Sequence, residues 1–173
     1  MPNWCDNVLI VKHKRKLVLE RIEEAFKEGK LCEEFTPIPE ELKESEAPNT
    51  KNKKEMLDKY GYESWYDFCV NKWGTKWDIG EGDYGSFSKK RNSLTLSFQS
   101  AWSPPLGLYR ALIDEGYDVT AYYYESGMGF VGKFDEYGDD CYEISGDWQA
   151  VQEELPSEID KMFSISENMK ECS

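Results

Sequence analysis

The residues best equipped for chemistry in this chain sit beside tryptophans. Lys76, Trp77 and Asp78 fall within Trp73-Gly74-Thr75-Lys76-Trp77-Asp78, and Trp102 and Ser103 fall within Ala101-Trp102-Ser103-Pro104-Pro105. Glu125 precedes a Ser-Gly turn further on. One chemistry for this set is recognition of a small molecule. The indoles of Trp77 and Trp102 would stack a base or nucleotide, and Lys76, Asp78, Ser103 and Glu125 would hold its polar edge. Another pairs Asp78 with Glu125 as an acid–base couple or a magnesium site, although no nucleophile or phosphate loop accompanies them. A third has no chemistry: the tryptophans fill a sheet–helix interface and donate their indole N–H groups to loop carbonyls. Pocket and core both remain open at this level.

Much other chemistry is excluded by what the chain lacks. His13 is the single histidine, so a zinc site with two histidines and paired-histidine catalysis are impossible. It lies in a basic turn, His13-Lys14-Arg15-Lys16, where an exposed ring is the plain expectation. Cys5, Cys32, Cys69, Cys141 and Cys172 are widely spaced and contain no CxxC, which reads as reduced thiols. GxxxxGK[ST], GxGxxG and GxSxG are absent. No metal and no cofactor is expected, and a non-enzymatic role fits better than catalysis.

Charge points to a second candidate surface. Among the 173 residues, 34 are acidic and 21 basic. Residues 1–110 are balanced, with 18 of each sign. Residues 111–173 hold 16 acidic side chains against Lys133, Lys161 and Lys170, so this third carries the whole net charge of −13. The densest run contains Asp135, Glu136, Asp139, Asp140 and Glu143. It reads either as a solvated face or as a surface for a basic partner, such as the nucleic-acid-binding groove of another protein. Direct binding of nucleic acid is not expected, because no row of Lys and Arg is present to release counterions. The chain also lacks a long apolar run and a secretory-type start. The expectation is a cytoplasmic protein with no membrane partner.

The elements that must position these residues follow from periodicity. Residues 8–12 read as a buried strand, and Val18, Ile22, Ala25 and Phe26 mark one stripe of a helix over 15–28. The prolines at 37 and 39 predict extended chain over 33–39. Residues 43–53 read as a loop, Ser64 with Asp67 opens a helix, and 80–91 reads as a mobile connection. Alternation at 94–98 predicts a strand, and Pro104-Pro105 opens a helix ending near Gly116. Residues 118–125 and 129–134 form a hairpin, with a further edge strand from Cys141 to Ser145. Two short helices, capped by Asp147 and Ser157, close the chain. This order predicts an α+β domain over 1–145, with an insertion at about 43–91 and a helical extension over 146–173. Its plan is a ferredoxin-like antiparallel sheet with helices on one face.

Several motifs occur together: Asn3-Trp4-Cys5-Asp6-Asn7, Phe35-Thr36-Pro37-Ile38-Pro39-Glu40-Glu41-Leu42, WGTKWD, AWSPP, and Tyr124-Glu125-Ser126-Gly127 with Phe130 and Gly132. In this combination and order the chain resembles the YubB-type ferredoxin-like proteins carried by bacteriophages and plasmids. The likeness runs over roughly residues 1–140, with Lys72 standing where the family usually has asparagine. The resemblance implies a ferredoxin-like fold and a mobile-element origin, and brings no reaction with it. Joined to the acidic third, it suggests a protein that binds a host protein, inhibiting a nucleic-acid-binding or defence component.

Overall fold

The computed structural model describes residues 2–82 and 84–172. Its centre is the strand β1 (Trp4–Lys12), whose side chains alternate between two faces of the sheet. Cys5, Asn7, Leu9 and Val11 are buried on one face, while Val8 and Ile10 are half-buried on the other. β3 (Ser93–Ala101) and β4 (Asp118–Glu125) flank β1, both antiparallel, with Leu9 opposite Leu96 on one side and Ala121 on the other. β2 (Ser86–Lys90) adds to β3, and β5 (Phe130–Asp135) and β6 (Gly138–Glu143) add to β4. The sheet order is therefore β2-β3-β1-β4-β5-β6, antiparallel throughout. The architecture is α+β.

The larger core lies on the face of Leu9 and Val11. α1 (Lys16–Lys27) contributes Leu19, Ile22, Ala25 and Phe26, and α6 (Leu106–Asp114) contributes Leu108, Tyr109 and Leu112. Each fully buried Leu, Ile or Phe contributes about 1.5–3 kcal/mol, so these two helices fix the sheet from one side. α5 (Trp65–Lys72) starts where expected: Ser64 accepts the N–H of Asp67, and Asp67 accepts that of Glu63.

Three local expectations are corrected. Residues 33–35 of the stretch expected to be extended belong to α2 (Leu31–Phe35), while 36–39 lie outside any helix. The Asp78 carboxylate accepts the N–H groups of Cys32 and Glu33, a cap supplied from 46 residues away that no local pattern announces. The loop expected over 43–53 is present across 44–52, bounded by α3 (Glu40–Lys43) and α4 (Lys53–Tyr60). The connection expected to be mobile over 80–91 contains β2, whose Phe87 packs on the larger core. The edge strand runs over 138–143, closing a tight turn after Asp135, rather than over 141–145.

The expectation of helices on one face is also corrected. The C-terminal segment forms three helices, α7 (Trp148–Glu154), α8 (Ser157–Phe163) and α9 (Ile165–Glu171), and they cover the opposite face of β4 and β5. Val151, Leu155, Ile159 and Ile165 pack there with Tyr122 and Val131. The physical reason is the alternation itself. Val8, Ile10, Tyr122 and Tyr124 point away from the larger core and need cover of their own. Asp160 joins α8 to α9 by accepting both the N–H and the hydroxyl of Ser166. Asp147 caps α7 as expected, but α8 opens on Pro156, not on Ser157. Among the described residues no helix is long and apolar enough to cross a membrane.

Candidate functional site

The three tryptophan motifs meet at one end of the sheet. Trp4 lies opposite Ala101, and the N–H of Trp102 bonds to the carbonyl of Asn3. The loop after α5 docks on this end through Thr75, a fully buried residue. Its hydroxyl donates to the Ala101 carbonyl and accepts the Ala101 N–H. Ser103 Oγ donates to the carbonyl of Gly74, and the Gly107 N–H to that of Trp73. Both glycines are demanded by close approach. A β-carbon on Gly107 would lie 1.8 Å from the Lys72 carbonyl oxygen, and one on Gly74, at φ +87°, would lie 3.0 Å from Leu106 N and Pro104 O. Much of each motif thus locks two loops together.

Beneath this lock runs a buried polar network. Asn7 donates to the Cys5 carbonyl and the Ser100 hydroxyl, and accepts the Tyr109 hydroxyl at 2.9 Å. Ser100 in turn donates to the Ser103 carbonyl. Burial pushes the Cys5 thiol up to about 12 and the Tyr109 phenol well above its ordinary value, which favours the neutral form of both. Every side-chain polar atom buried here has a partner, among the described residues.

What the lock presents outward is aromatic. Trp4, Trp77 and Trp102 are 43%, 42% and 49% exposed, whereas Trp73 is buried with its indole N–H on the Thr36 carbonyl. The rings of Trp4 and Trp77 meet at 5.9 Å. The Lys76 ammonium lies 4.6 Å from the Trp77 ring centroid and 5.7 Å from that of Tyr66. Trp102 adopts φ +73°, a left-handed conformation that costs a bulky residue about 1–2 kcal/mol.

A cleft of about 300 Å³ opens between Trp4, Trp77 and residues 79–82, 84 and 85, with Gln99, Ser100 and Ala101 also lining it. Of the six expected ligand residues, Trp77 and Asp78 line it; Trp102, Lys76, Ser103 and Glu125 do not. The polar set is dispersed. Asp78 accepts three backbone N–H groups, of Cys32, Glu33 and Ile79, while burial raises its pKa against their pull. Ser103 belongs to the lock. Glu125, almost wholly buried, accepts the N–H groups of Gly127 and Met128 and so shapes the turn after β4. Asp78 and Glu125 each hold backbone N–H groups, and only Asp78 lines the cleft. The residues that complete the cleft are Trp4, Glu81, Tyr84 and Gln99. Trp4 was legible in principle, since it falls on the outward phase of β1; the others come from a loop and a strand end that no pattern joins.

The acidic candidates lie on the β5–β6 hairpin, at the far edge of the sheet from β2. Asp139 accepts the Tyr123 hydroxyl, and Asp135 accepts the Tyr137 N–H and lies 3.8 Å from Lys133. Glu136, Asp140 and Glu143 are exposed. The Tyr123 ring crosses Gly132, where a β-carbon would lie 2.3 Å from the ring.

No family model and no curated protein matches the chain. One similar solved structure is the crystal structure of a protein api92 from Yersinia pseudotuberculosis, with the family description DUF1281. Its TM-score is 0.50 at 11% identity, and the match covers 84% of this chain and 99% of that one. At that identity the likeness concerns fold alone.

Proposed function

We propose that this is a non-enzymatic binding protein that recognises its partner through the tryptophan end of the sheet. The observation that carries this reading is the exposure of Trp4, Trp77 and Trp102, together at one end of the sheet, on a frame whose buried side-chain polar atoms all have partners among the described residues. Large rigid aromatics held outward by a fixed frame are what interfaces use as anchors. The left-handed Trp102 adds to it, since strain of this kind persists where surrounding structure holds it for a purpose. Catalysis is disfavoured because Asp78 and Glu125 already accept backbone N–H groups.

The strand order β2-β3-β1-β4, with helical segments between β1 and β2 and between β3 and β4, supports a ferredoxin-like core lengthened by the β5–β6 hairpin. With the motif resemblance, this favours a YubB-type protein of a phage or plasmid, acting in the bacterial cytoplasm. The partner we propose is a host protein with a basic, nucleic-acid-binding surface, inhibited on binding. Asp135, Glu136, Asp139, Asp140 and Glu143 would steer it and raise its on-rate. The second reading is a small-molecule site, favoured by the ring pair Trp4–Trp77 beside the cleft.

The test compares capture of bacterial host proteins at low ionic strength by the wild-type chain and by the W4A/W77A/W102A variant. Specific capture that the variant loses while remaining folded is expected. A wild-type chain that captures nothing overturns the binding reading.

A further inference from the structure

We propose that the cleft beside Trp4 and Trp77 receives an arginine side chain carried on an extended segment of the partner. The inference rests on the binding reading above and specifies its chemistry. Three features of the cleft converge on such a ligand: a backbone edge with no strand opposite it among the described residues, aromatic walls and a carboxylate.

The backbone edge comes from the mismatch between β2 and β3. Pairing with β2 ends at Ser86 opposite Ser97, while both backbone groups of Ala101 are engaged by Thr75. The N–H of Trp102 points inward to Asn3, so by the alternation of an antiparallel ladder Ala101 and Gln99 point outward. Gln99 therefore turns its N–H and C=O toward the side of β3 that lines the cleft, where no strand lies opposite it among the described residues. An extended segment laid there would gain a pair of main-chain hydrogen bonds.

The walls favour a cation. Trp4, Trp77 and the exposed Tyr84 supply ring faces, Glu81 supplies a carboxylate, and no Lys, Arg or His is among the described lining residues. Asp6 stands next to the lining residue Gln99, accepting its side-chain amide at 2.9 Å. The Lys76 ammonium over the Trp77 ring shows that this indole already attracts a positive charge. The same acidity disfavours a phosphate, hence a nucleotide. Among cations, the planar guanidinium is the better match, because it stacks on indole and meets a carboxylate in a bidentate fork. The cleft wall is firm enough to serve: the Glu81 N–H bonds to the Phe26 carbonyl, and the Leu31 N–H to that of Ile79. Gly80 packs so closely on Gly29 that a β-carbon would lie 2.4 Å from its Cα.

The experiment titrates the intact chain with acetyl-Thr-Arg-Thr-amide, following tryptophan fluorescence and calorimetry at low salt. The arms are the Lys and norleucine versions of the peptide and AMP. Saturable binding of the arginine peptide is expected, several-fold weaker for lysine and at least tenfold weaker for norleucine. W77A should abolish it, and E81Q should weaken it at least fivefold, both with unchanged circular dichroism. Equal binding of the lysine peptide would overturn the guanidinium assignment, and equal binding of norleucine the cationic one. Tighter binding of AMP would replace it with a nucleotide site. If no probe binds while capture of host protein still depends on the tryptophans, the arginine proposal fails and the binding reading stands.

Discussion

The tryptophan end and the acidic hairpin both expose side chains, but the ground beneath them differs. At the tryptophan end the exposed rings stand on backbone that is locked from below. Thr75, Ser103, Asn7, Ser100 and Tyr109 form buried hydrogen bonds, and Gly74 and Gly107 permit contacts that any side chain would block. At the hairpin, charge sits on an edge strand whose outer side is bare, and the support is a tyrosine crossing a glycine. The first arrangement fixes shape and suits a specific contact. The second offers only a field, which accelerates encounter without defining a pose. In the proposed binding reading, it is exposure on an over-determined frame, and not exposure alone, that would mark the recognition surface.

That contrast can be broken by glycine first. Gly107→Ala drives a methyl into the Lys72 carbonyl, so the variant should lose about 3 kcal/mol of stability or fail to fold. Gly138→Ala in the hairpin meets nothing within 4 Å and is strained only by its φ of +130°, which costs about 1 kcal/mol. Urea unfolding of both checks the order, and equal losses would erase the distinction between locked and open ground.

A second pair of changes removes one hydroxyl from each region. Tyr109→Phe strips a buried partner from Asn7 and should cost about 2 kcal/mol, the penalty of an unsatisfied buried polar group. Tyr123→Phe frees Asp139, which water can solvate, and should cost well under 1 kcal/mol. Thermal unfolding resolves the difference.

Trp102→Gly sharpens the comparison by separating stability from function. Glycine adopts the left-handed backbone freely, so stability should hold or rise by up to about 1 kcal/mol. Capture of the partner should fall in the same variant. A large destabilisation would make Trp102 a packing residue instead.

The smallest effect is expected at the acidic edge. The D135N/E136Q/D139N/D140N variant should unfold within about 0.5 kcal/mol of wild type, because surface changes of this kind rarely do more. Its association rate should drop at low salt and match wild type at high salt, where the field is screened. Stopped-flow mixing with the captured partner reads both. Unchanged kinetics at low salt would leave the hairpin a solvated face.

Much of this molecule was determined locally. Alternation along 94–98 and 118–124 and the stripe in α1 are periodicities of the chain, and the Ser64–Asp67 box and the Asp147 cap bond within a few residues, so most strands and the two main helices were legible before folding is considered. Charge asymmetry is likewise a property of the chain. The rest depends on partners distant along it. Asp78 makes α2 by reaching across 46 residues. β2 forms because β3 offers an edge, and the C-terminal helices lie on the second face because Tyr122 and Val131 leave apolar surface there. The candidate site shows the same division. Tryptophans next to small and polar residues were visible as a pattern, but the pattern is identical for a buried Trp73 and an exposed Trp77. That Asp78 and Ser103 hold backbone while Trp4, Glu81 and Gln99 shape the cleft follows from contacts between segments far apart in the chain. The reason is that a side chain's role is set by which groups compete for its hydrogen bonds and its surface, and those groups are assembled by folding.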